Sequence, residues 1–215
     1  MSNLNQPIFT MPNVITLTRL ILIPVFLLYA YKGLTGYFPS IFFDILLALN
    51  IYLVIRLTDF LDGWVARLTK STSILGSFLD VWVDFIFVLS SFIVLNTLNI
   101  APIWLTILII YKFFEFLILS QITRKHFLEM GIIRDKVLYY DLPGRFVSSI
   151  FYTLPSIVLV FKLLCIDSIL LHVIYYIILI LTFVSSLLKF RTIKNLTNIE
   201  NESVLVTDNS HKIGI

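Results

Sequence analysis

Four aspartates lie within otherwise apolar stretches of the sequence, at regular spacing. Asp59 and Asp62 are three residues apart, and Asp80 and Asp84 are four apart. If both stretches are helical, either spacing places the two carboxylates on one face of a helix. A carboxylate at the bilayer centre costs about 2.5–3.5 kcal/mol on insertion scales, so acidic residues in membrane helices are usually functional. The short connection between the two stretches makes antiparallel neighbouring helices, and the pattern predicts that four carboxylates converge.

Four carboxylates in a confined site cannot all ionise unless positive charge lies between them. Oxygen ligands from Asp suit hard cations such as Mg²⁺, Mn²⁺ or Ca²⁺, and no Cys or His occurs between residues 59 and 84 to favour zinc. The sequence therefore predicts a divalent-cation site.

Small residues and one arginine accompany the aspartates. Gly63, Ala66 and Gly76 leave room for a ligand or a partner helix to approach the backbone, and the guanidinium of Arg67 suits phosphate. A cation site, small residues and an arginine together indicate a nucleotide diphosphate bridged by metal. The alternative for each residue alone is structural, because acidic pairs can be solvated helix caps and glycines can serve packing.

The spacing of these residues resembles the CDP-alcohol phosphatidyltransferase signature, D-x2-D-G-x2-A-R-x8-G-x3-D-x3-D. All its fixed positions are matched, from Asp59 to Asp84. The resemblance implies a six-helix homodimer that moves a phosphatidyl group from CDP-diacylglycerol to an alcohol and releases CMP. It also implies two Mg²⁺ or Mn²⁺ ions on Asp59, Asp62 and Asp80, and a general base at Asp84 that can also contact metal. The nucleotide site would then be shaped by Gly63, Ala66, Arg67 and Gly76.

The N-terminal segment is similar to the P-N-x-x-T-x-x-R start of phosphatidylglycerophosphate synthases and cardiolipin synthases. Here it begins at Pro12, and the resemblance implies that Asn13 and Thr16 touch the nucleotide. The alternative is that Asn13 caps a helix while Arg19 extends its side chain to the membrane interface.

The acceptor-binding part of the sequence departs from phosphatidylglycerophosphate synthases. Proline, alanine and lysine are missing around Asp80 and Asp84, and Gly144 and Arg145 replace a longer basic stretch before the fifth helix. Glycerol 3-phosphate remains the first expectation for the acceptor. Phosphatidylglycerol, inositol or its phosphate, and serine stay open, and a divalent-cation carrier is a remote alternative.

Four basic residues are candidates for binding the acceptor: Arg145, Lys112, Arg124 and Arg134. Three of them have plainer interpretations. Lys112 and Glu115 share a helix face and can neutralise each other within the bundle. Arg124 and Arg134 can be anchors on the cytoplasmic side of the membrane.

The elements that must position these residues are membrane helices. The chain has 215 residues, of which 59% are hydrophobic and 13% charged, whereas a soluble domain is about 45–50% apolar. Stretches long enough to span a bilayer lie at about 14–31, 41–62, 74–97, 103–122, 146–164 and 168–189. We therefore predict an all-α integral membrane protein with one six-helix domain over residues 1–194 and a polar, mobile tail over 195–215.

The basic residues predict the orientation. The connections at 66–73 and 123–145 and the C-terminal tail carry most of them, whereas the opposite side carries only Lys32 and Lys162. The positive-inside rule then places both termini and the active site on the cytoplasmic side. We expect the membrane to be a bacterial cell membrane. The net charge of +3 is modest and no basic run alternates with aromatic residues, so nucleic acid is not an expected partner.

Overall fold

The computed structural model describes residues 11–37, 39–68, 74–129 and 142–213. Within these ranges, side chains are not described at 11–15, 62–68, 74–75, 77, 126–129 and 193–213. The described part consists of six α-helices and contains no strand. They are α1 (Met11–Thr35), α2 (Ser40–Leu68), α3 (Ile74–Thr97), α4 (Ile103–Glu129), α5 (Leu142–Leu163) and α6 (Ser168–Ile213).

Each helix contains a segment long and apolar enough to cross a membrane, from Thr16–Thr35 to Ser168–Thr192. Large apolar side chains also cover the outside of the bundle, as at Ile21, Phe43 and Ile169. A water-soluble fold would bury such groups, whereas lipid tails solvate them. The predicted all-α membrane protein with six spanning helices is therefore confirmed, and the orientation of its termini stays a prediction.

Two of the helices end in the same hydrogen-bonded cap. At the end of α3, Asn99 adopts a positive φ of 55°, and the Ile100 amide donates to the Leu95 carbonyl at 2.9 Å. At the end of α5, Cys165 has a φ of 52°, and the Ile166 amide donates to the Phe161 carbonyl at 3.0 Å. Both are Schellman motifs, which reverse the chain while satisfying terminal carbonyl groups. These tight turns make α3–α4 and α5–α6 antiparallel pairs.

The first helix packs against α2, α3 and α5, while α6 packs against α4 and α5. Gly33 permits the close approach of α1 and α2, because a Cβ atom there would lie 2.6 Å from Ile45 Cγ1. Deeper in the bundle, the ring of Phe87 lies 5.2 Å from that of Phe26 and 4.7 Å from that of Tyr152. These aromatic residues form a rigid part of the core where α1, α3 and α5 meet.

The sixth helix extends beyond its predicted membrane span. A polar, mobile tail is predicted from residue 195, and α6 continues to Ile213; the mobility of this segment stays a prediction. Adding a residue to an existing helix gains a hydrogen bond without a new nucleation step, so a long apolar helix can extend into a polar sequence that has no helical periodicity of its own.

Candidate active site

Arg19 of α1 lies among the aspartates of α2 and α3. Its side chain is 1% exposed. Nη1 donates to Asp59 Oδ1 at 3.2 Å and to Asp84 Oδ1 at 2.8 Å, and Nη2 donates to Asp80 Oδ1. The interpretation of Arg19 as an interfacial anchor is therefore wrong, because the guanidinium points into the bundle and supplies positive charge between three carboxylates.

The three carboxylates form the cluster that the spacing predicts. One oxygen from each of Asp59, Asp80 and Asp84 lies within 4.8 Å of the others, and their side chains are 28%, 38% and 33% exposed. Asp62 lies on the same helix as Asp59, but its side chain is outside the described residues. The convergence is thus confirmed for three of the four aspartates.

The donor set fits a hard divalent cation. All its atoms are carboxylate oxygens, and they lie within 4.8 Å of one another, close enough for one cation with metal–oxygen distances of about 2.3–2.6 Å, as seen for Ca²⁺, to contact all three. One guanidinium balances only part of the charge of three ionised carboxylates, and their partial exposure leaves them accessible. The cluster can therefore accept further positive charge.

A second arginine, Arg56, extends the site and was missed by the sequence analysis. Its Nη1 lies 3.8 Å from Asp59 Oδ2, and its guanidinium lies over the ring of Tyr152, 4.7 Å from the centroid. The sequence does contain a signal for this role. Arg56 is a charged residue in an apolar span, and it precedes Asp59 by three residues on the same helix face.

A cavity of about 340 Å³ lies beside the cluster. Of the three described carboxylates of the cluster, only Asp84 lines it. Among the described residues, the other charged groups in its wall are Glu115 and four basic side chains, and these basic residues are Arg56, Lys112, Arg145 and Lys189. The cavity therefore joins one carboxylate of the cluster to a predominantly basic chamber between α2, α3, α4, α5 and α6.

Lys112 and Glu115 do pair, as the plainer interpretation expects, and they also line the cavity. Lys112 Nζ lies 3.0 Å from Glu115 Oε2, and Ser186 Oγ of α6 donates to the same oxygen at 2.8 Å. Two residues that line the cavity each carry a buried polar atom without a hydrogen-bond partner in the described part of the chain, namely Glu115 (Oε1) and Tyr152 (Oη).

The remaining predicted site residues fall into three groups. Thr16 is buried on α1, one helical turn before Arg19, and Gly76 is half-buried on α3, one helical turn before Asp80. Arg124 is exposed on α4 and is not among the cavity-lining residues, whereas Arg145 is. Arg134 lies outside the described residues. The surroundings of Gly63 and the side chains of Asn13, Ala66 and Arg67 are likewise not described.

Comparison with known proteins adds to this geometry. The sequence matches the family model of CDP-alcohol phosphatidyltransferase over residues 9–184. This range contains the aspartate cluster, Arg19 and the described residues of the cavity wall up to Tyr152. The resemblance drawn from the aspartate signature is confirmed.

Several curated relatives share about a third of their residues with this chain. A CDP-diacylglycerol–glycerol-3-phosphate 3-phosphatidyltransferase of Bacillus subtilis is 32% identical over 111 residues, which are 49% of this chain and 58% of the relative. A cardiolipin synthase (CMP-forming) of Streptomyces coelicolor is 32% identical over 120 residues, 55% of this chain and 54% of the relative. A Haemophilus influenzae protein with the same name as the first is 32% identical over 123 residues, covering 57% of this chain and 62% of the relative. The matches thus span between half and two thirds of the length of these relatives.

Proposed function

Because the chain belongs to the CDP-alcohol phosphatidyltransferase family, we propose that it transfers the phosphatidyl group of CDP-diacylglycerol to glycerol 3-phosphate and releases CMP. The names of the Bacillus subtilis and Haemophilus influenzae relatives contain both substrates. The observation that carries the proposal is the cavity, which places Asp84 in one chamber with four basic side chains.

The charge of the cavity favours a phosphorylated acceptor. Among the described residues of the wall, Arg56, Lys112, Arg145 and Lys189 outnumber the two acidic groups, Asp84 and Glu115. An excess of positive charge in a confined site stabilises a phosphate dianion and gives no advantage to serine or inositol, which carry no net negative charge. Arg145 is the proposed principal phosphate ligand, since its guanidinium suits bidentate contact and Gly144 leaves space beside it.

The reaction is a displacement at phosphorus. A hydroxyl oxygen of glycerol 3-phosphate forms a bond to the phosphorus of the phosphatidyl group, and the bond from that phosphorus to the CMP oxygen breaks. The electron pair leaves with CMP, and the hydroxyl proton passes to a carboxylate of Asp84. Asp84 suits this role because it belongs to the aspartate cluster and also lines the acceptor cavity.

We place two Mg²⁺ or Mn²⁺ ions on Asp59, Asp62 and Asp80, with Asp84 as a further ligand. When bound, such ions neutralise the donor pyrophosphate and stabilise the charge on the entering and leaving oxygens. The described oxygens fit this role because they are hard donors, partly exposed and only partly neutralised by Arg19.

The nucleotide part of the donor is assigned to the residues around the cluster. Thr16 precedes Arg19 by three residues and Gly76 precedes Asp80 by four, so Thr16 shares a helix face with the counter-ion of the cluster and Gly76 with one of its carboxylates. Asn13, Gly63, Ala66 and Arg67 complete the proposed site. The acyl chains of the donor would stay in the bilayer. We further propose a homodimer in the bacterial cytoplasmic membrane, with the site open to the cytoplasm.

An acceptor screen tests this function. Purified protein in detergent or liposomes is incubated with CDP-diacylglycerol, Mg²⁺ and one acceptor at a time, and CMP and the lipid product are measured by mass spectrometry. We expect phosphatidylglycerophosphate from glycerol 3-phosphate and little product from serine, inositol or inositol phosphate. Product from phosphatidylglycerol alone would instead assign the chain to cardiolipin synthesis, and cation flux without CMP release would indicate a carrier.

A further inference from the structure

Arg56 carries a positive charge within the second membrane span, and its hydrogen-bond donors are unused in the described part of the chain. Its ion-pair partner is Asp59, but Nη1 lies 3.8 Å from Asp59 Oδ2, which is too far for a hydrogen bond. A guanidinium has five N–H groups, and none of those of Arg56 has a hydrogen-bond partner among the described residues. Ionisable groups in membrane spans are costly and usually functional. Arg56 therefore has the charge and the donors to bind an anion.

The guanidinium of Arg56 is held between helices and is accessible from the cavity. It lies over the ring of Tyr152, 4.7 Å from the centroid. Tyr152 is on α5 and only 5% exposed, so this contact draws the Arg56 side chain from α2 into the bundle. The side chain is still 38% exposed, and it lines the cavity. A ligand in the cavity can therefore reach a guanidinium that is already positioned by its ring contact.

Lys112 lines the same cavity, but its donors are already used. An ammonium group has three N–H groups, and three oxygens lie within hydrogen-bond distance of Lys112 Nζ. They are Glu115 Oε2 at 3.0 Å, Ser186 Oγ at 3.1 Å and Ser185 Oγ at 3.3 Å. Lys112 thus joins α4 to α6, whereas Arg56 keeps its donors for a ligand.

Arg56 and Asp84 lie where the aspartate cluster borders the cavity. Arg56 precedes Asp59 by one turn on α2, and Asp84 follows Asp80 by one turn on α3. Because consecutive spanning helices are antiparallel, both residues are displaced in the same direction along the bundle. The cavity wall agrees, since it contains Arg56 and Asp84 but neither Asp59 nor Asp80. The Tyr152 ring beneath Arg56 is also close enough to Asp84 and Asp59 for their charges to act on its hydroxyl.

The phosphorus that is transferred has to pass through this border. The proposed function places the donor pyrophosphate at the cluster and the acceptor in the cavity, and the phosphatidyl phosphorus connects the two during the displacement. In phosphoryl transfer the negative charge of the transition state is spread over the non-bridging oxygens of that phosphorus. A preorganised donor beside such oxygens stabilises the transition state more than the ground state.

We propose that the Arg56 guanidinium donates hydrogen bonds to the non-bridging oxygens of the phosphatidyl phosphorus and stabilises their charge while the acceptor oxygen attacks. Arg56 is then a catalytic residue beside the base Asp84. It keeps its own protons, so the bond that forms, the bond to CMP that breaks and the transfer of the hydroxyl proton to Asp84 are unchanged. The inference rests on the proposed function, since it concerns the same reaction, but it does not depend on which acceptor is used.

Arg56→Met tests this role, because methionine can pack against Tyr152 but has no donor. We expect kcat and the single-turnover rate of CMP release to fall about 100-fold or more, as is typical when one donor to a transition state is removed. The KM values for CDP-diacylglycerol and glycerol 3-phosphate should change less than about threefold, since the interaction is made chiefly in the transition state. Arg56→Lys should recover only part of the rate, because an ammonium lacks the planar fork of a guanidinium.

Chemical rescue and metal binding give two further measurements. Added methylguanidinium should accelerate CMP release by Arg56→Ala and leave the wild type unaffected, because it supplies the missing group from solution. Arg56→Met should bind Mn²⁺ as tightly as the wild type or more tightly, because a cation beside Asp59 has been removed. The matched control is Arg191→Met, at an exposed arginine of α6 that does not line the cavity. It should leave kcat, both KM values and Mn²⁺ affinity unchanged.

The outcomes separate this inference from the function on which it rests. Unchanged kcat in Arg56→Met overturns the assignment, and so does a raised KM for glycerol 3-phosphate alone, since Arg56 would then bind the acceptor. Weakened Mn²⁺ binding also overturns it, because Arg56 would then act through Asp59. A wild type that releases CMP only with another acceptor contradicts the proposed acceptor, and the same comparison with that acceptor decides the role of Arg56. A wild type that releases no CMP with any acceptor overturns the proposed function, and this inference with it.

Discussion

Arg19 Nη1 and Asp84 Oδ1 lie 2.8 Å apart, although 65 positions separate the two residues in the sequence. The contact joins the first helix to the far end of the aspartate motif. Because the same guanidinium also reaches Asp59 and Asp80, Arg19 is an internal counter-ion for the cluster. Substituting it should therefore affect both stability and cation binding.

Arg19→Met should destabilise the protein in EDTA and tighten its binding of divalent cations. Removing one partner of a buried ion pair costs about 3–5 kcal/mol, and because these carboxylates are partly exposed we expect less, about 1–3 kcal/mol, or roughly 5 °C in the thermal midpoint. Mg²⁺ should restore most of the loss. Thermal midpoints in EDTA and in MgCl₂, together with Mn²⁺ titration, measure both effects.

The matched control for this substitution is Lys32→Met, at an exposed cation near the end of α1. It should change neither the midpoint in EDTA nor the affinity for Mn²⁺. If Arg19→Met behaves like the control, Arg19 is not the counter-ion of the cluster.

Removal of divalent cations should abolish turnover. The three converging carboxylates of Asp59, Asp80 and Asp84 need compensating charge, and the Arg19 guanidinium supplies only part of it. We expect no CMP release in excess EDTA and recovery on adding Mg²⁺ or Mn²⁺. Dialysed protein with CDP-diacylglycerol and glycerol 3-phosphate provides the assay, and full activity in EDTA would contradict the metal assignment.

The sequence was sufficient to predict the aspartate cluster because the relevant contacts are local. Spacings of three and four residues place Asp59 with Asp62 and Asp80 with Asp84 on helix faces, and a short connection makes α2 and α3 neighbours. Hydrophobic length was likewise sufficient to predict the six spanning helices, because a bilayer imposes a fixed minimum length on each.

The contacts between distant helices were not predictable in this way. No periodicity in α1 indicates that Arg19 points into the bundle rather than to the interface, since that depends on how α1 packs against α2 and α3. Lys189 is not among the site residues predicted from the sequence, but it lines the cavity because α6 packs beside α4. The lack of hydrogen-bond partners at Glu115 Oε1 and Tyr152 Oη, within the described part of the chain, likewise depends on three-dimensional packing.

Arg145→Ala should impair binding of the acceptor more than binding of the donor. Arg145 lines the cavity and is the proposed phosphate ligand, so its loss should raise the KM for glycerol 3-phosphate about tenfold or more and change that for CDP-diacylglycerol little. Initial rates with each substrate varied in turn give both constants. Arg124→Ala is the matched control, because Arg124 is exposed and does not line the cavity. Equal effects on both substrates would remove Arg145 from the acceptor site.

Asp84→Asn should show whether Asp84 acts chiefly as the general base or as a metal ligand. The amide keeps the shape of the carboxylate but cannot take the proton of the attacking hydroxyl, and loss of a general base typically costs about 10²–10⁴ in rate. Asp80, one helical turn earlier, contacts Arg19 and does not line the cavity, so Asp80→Asn should instead weaken metal binding. We therefore expect near-normal affinity for Mn²⁺ and CDP-diacylglycerol with little turnover in Asp84→Asn, and a clear loss of Mn²⁺ affinity in Asp80→Asn. Mn²⁺ titration and single-turnover CMP release, measured on both variants side by side, make the comparison. If Asp84→Asn loses Mn²⁺ affinity as severely as Asp80→Asn, then Asp84 is chiefly a metal ligand and another group accepts the proton.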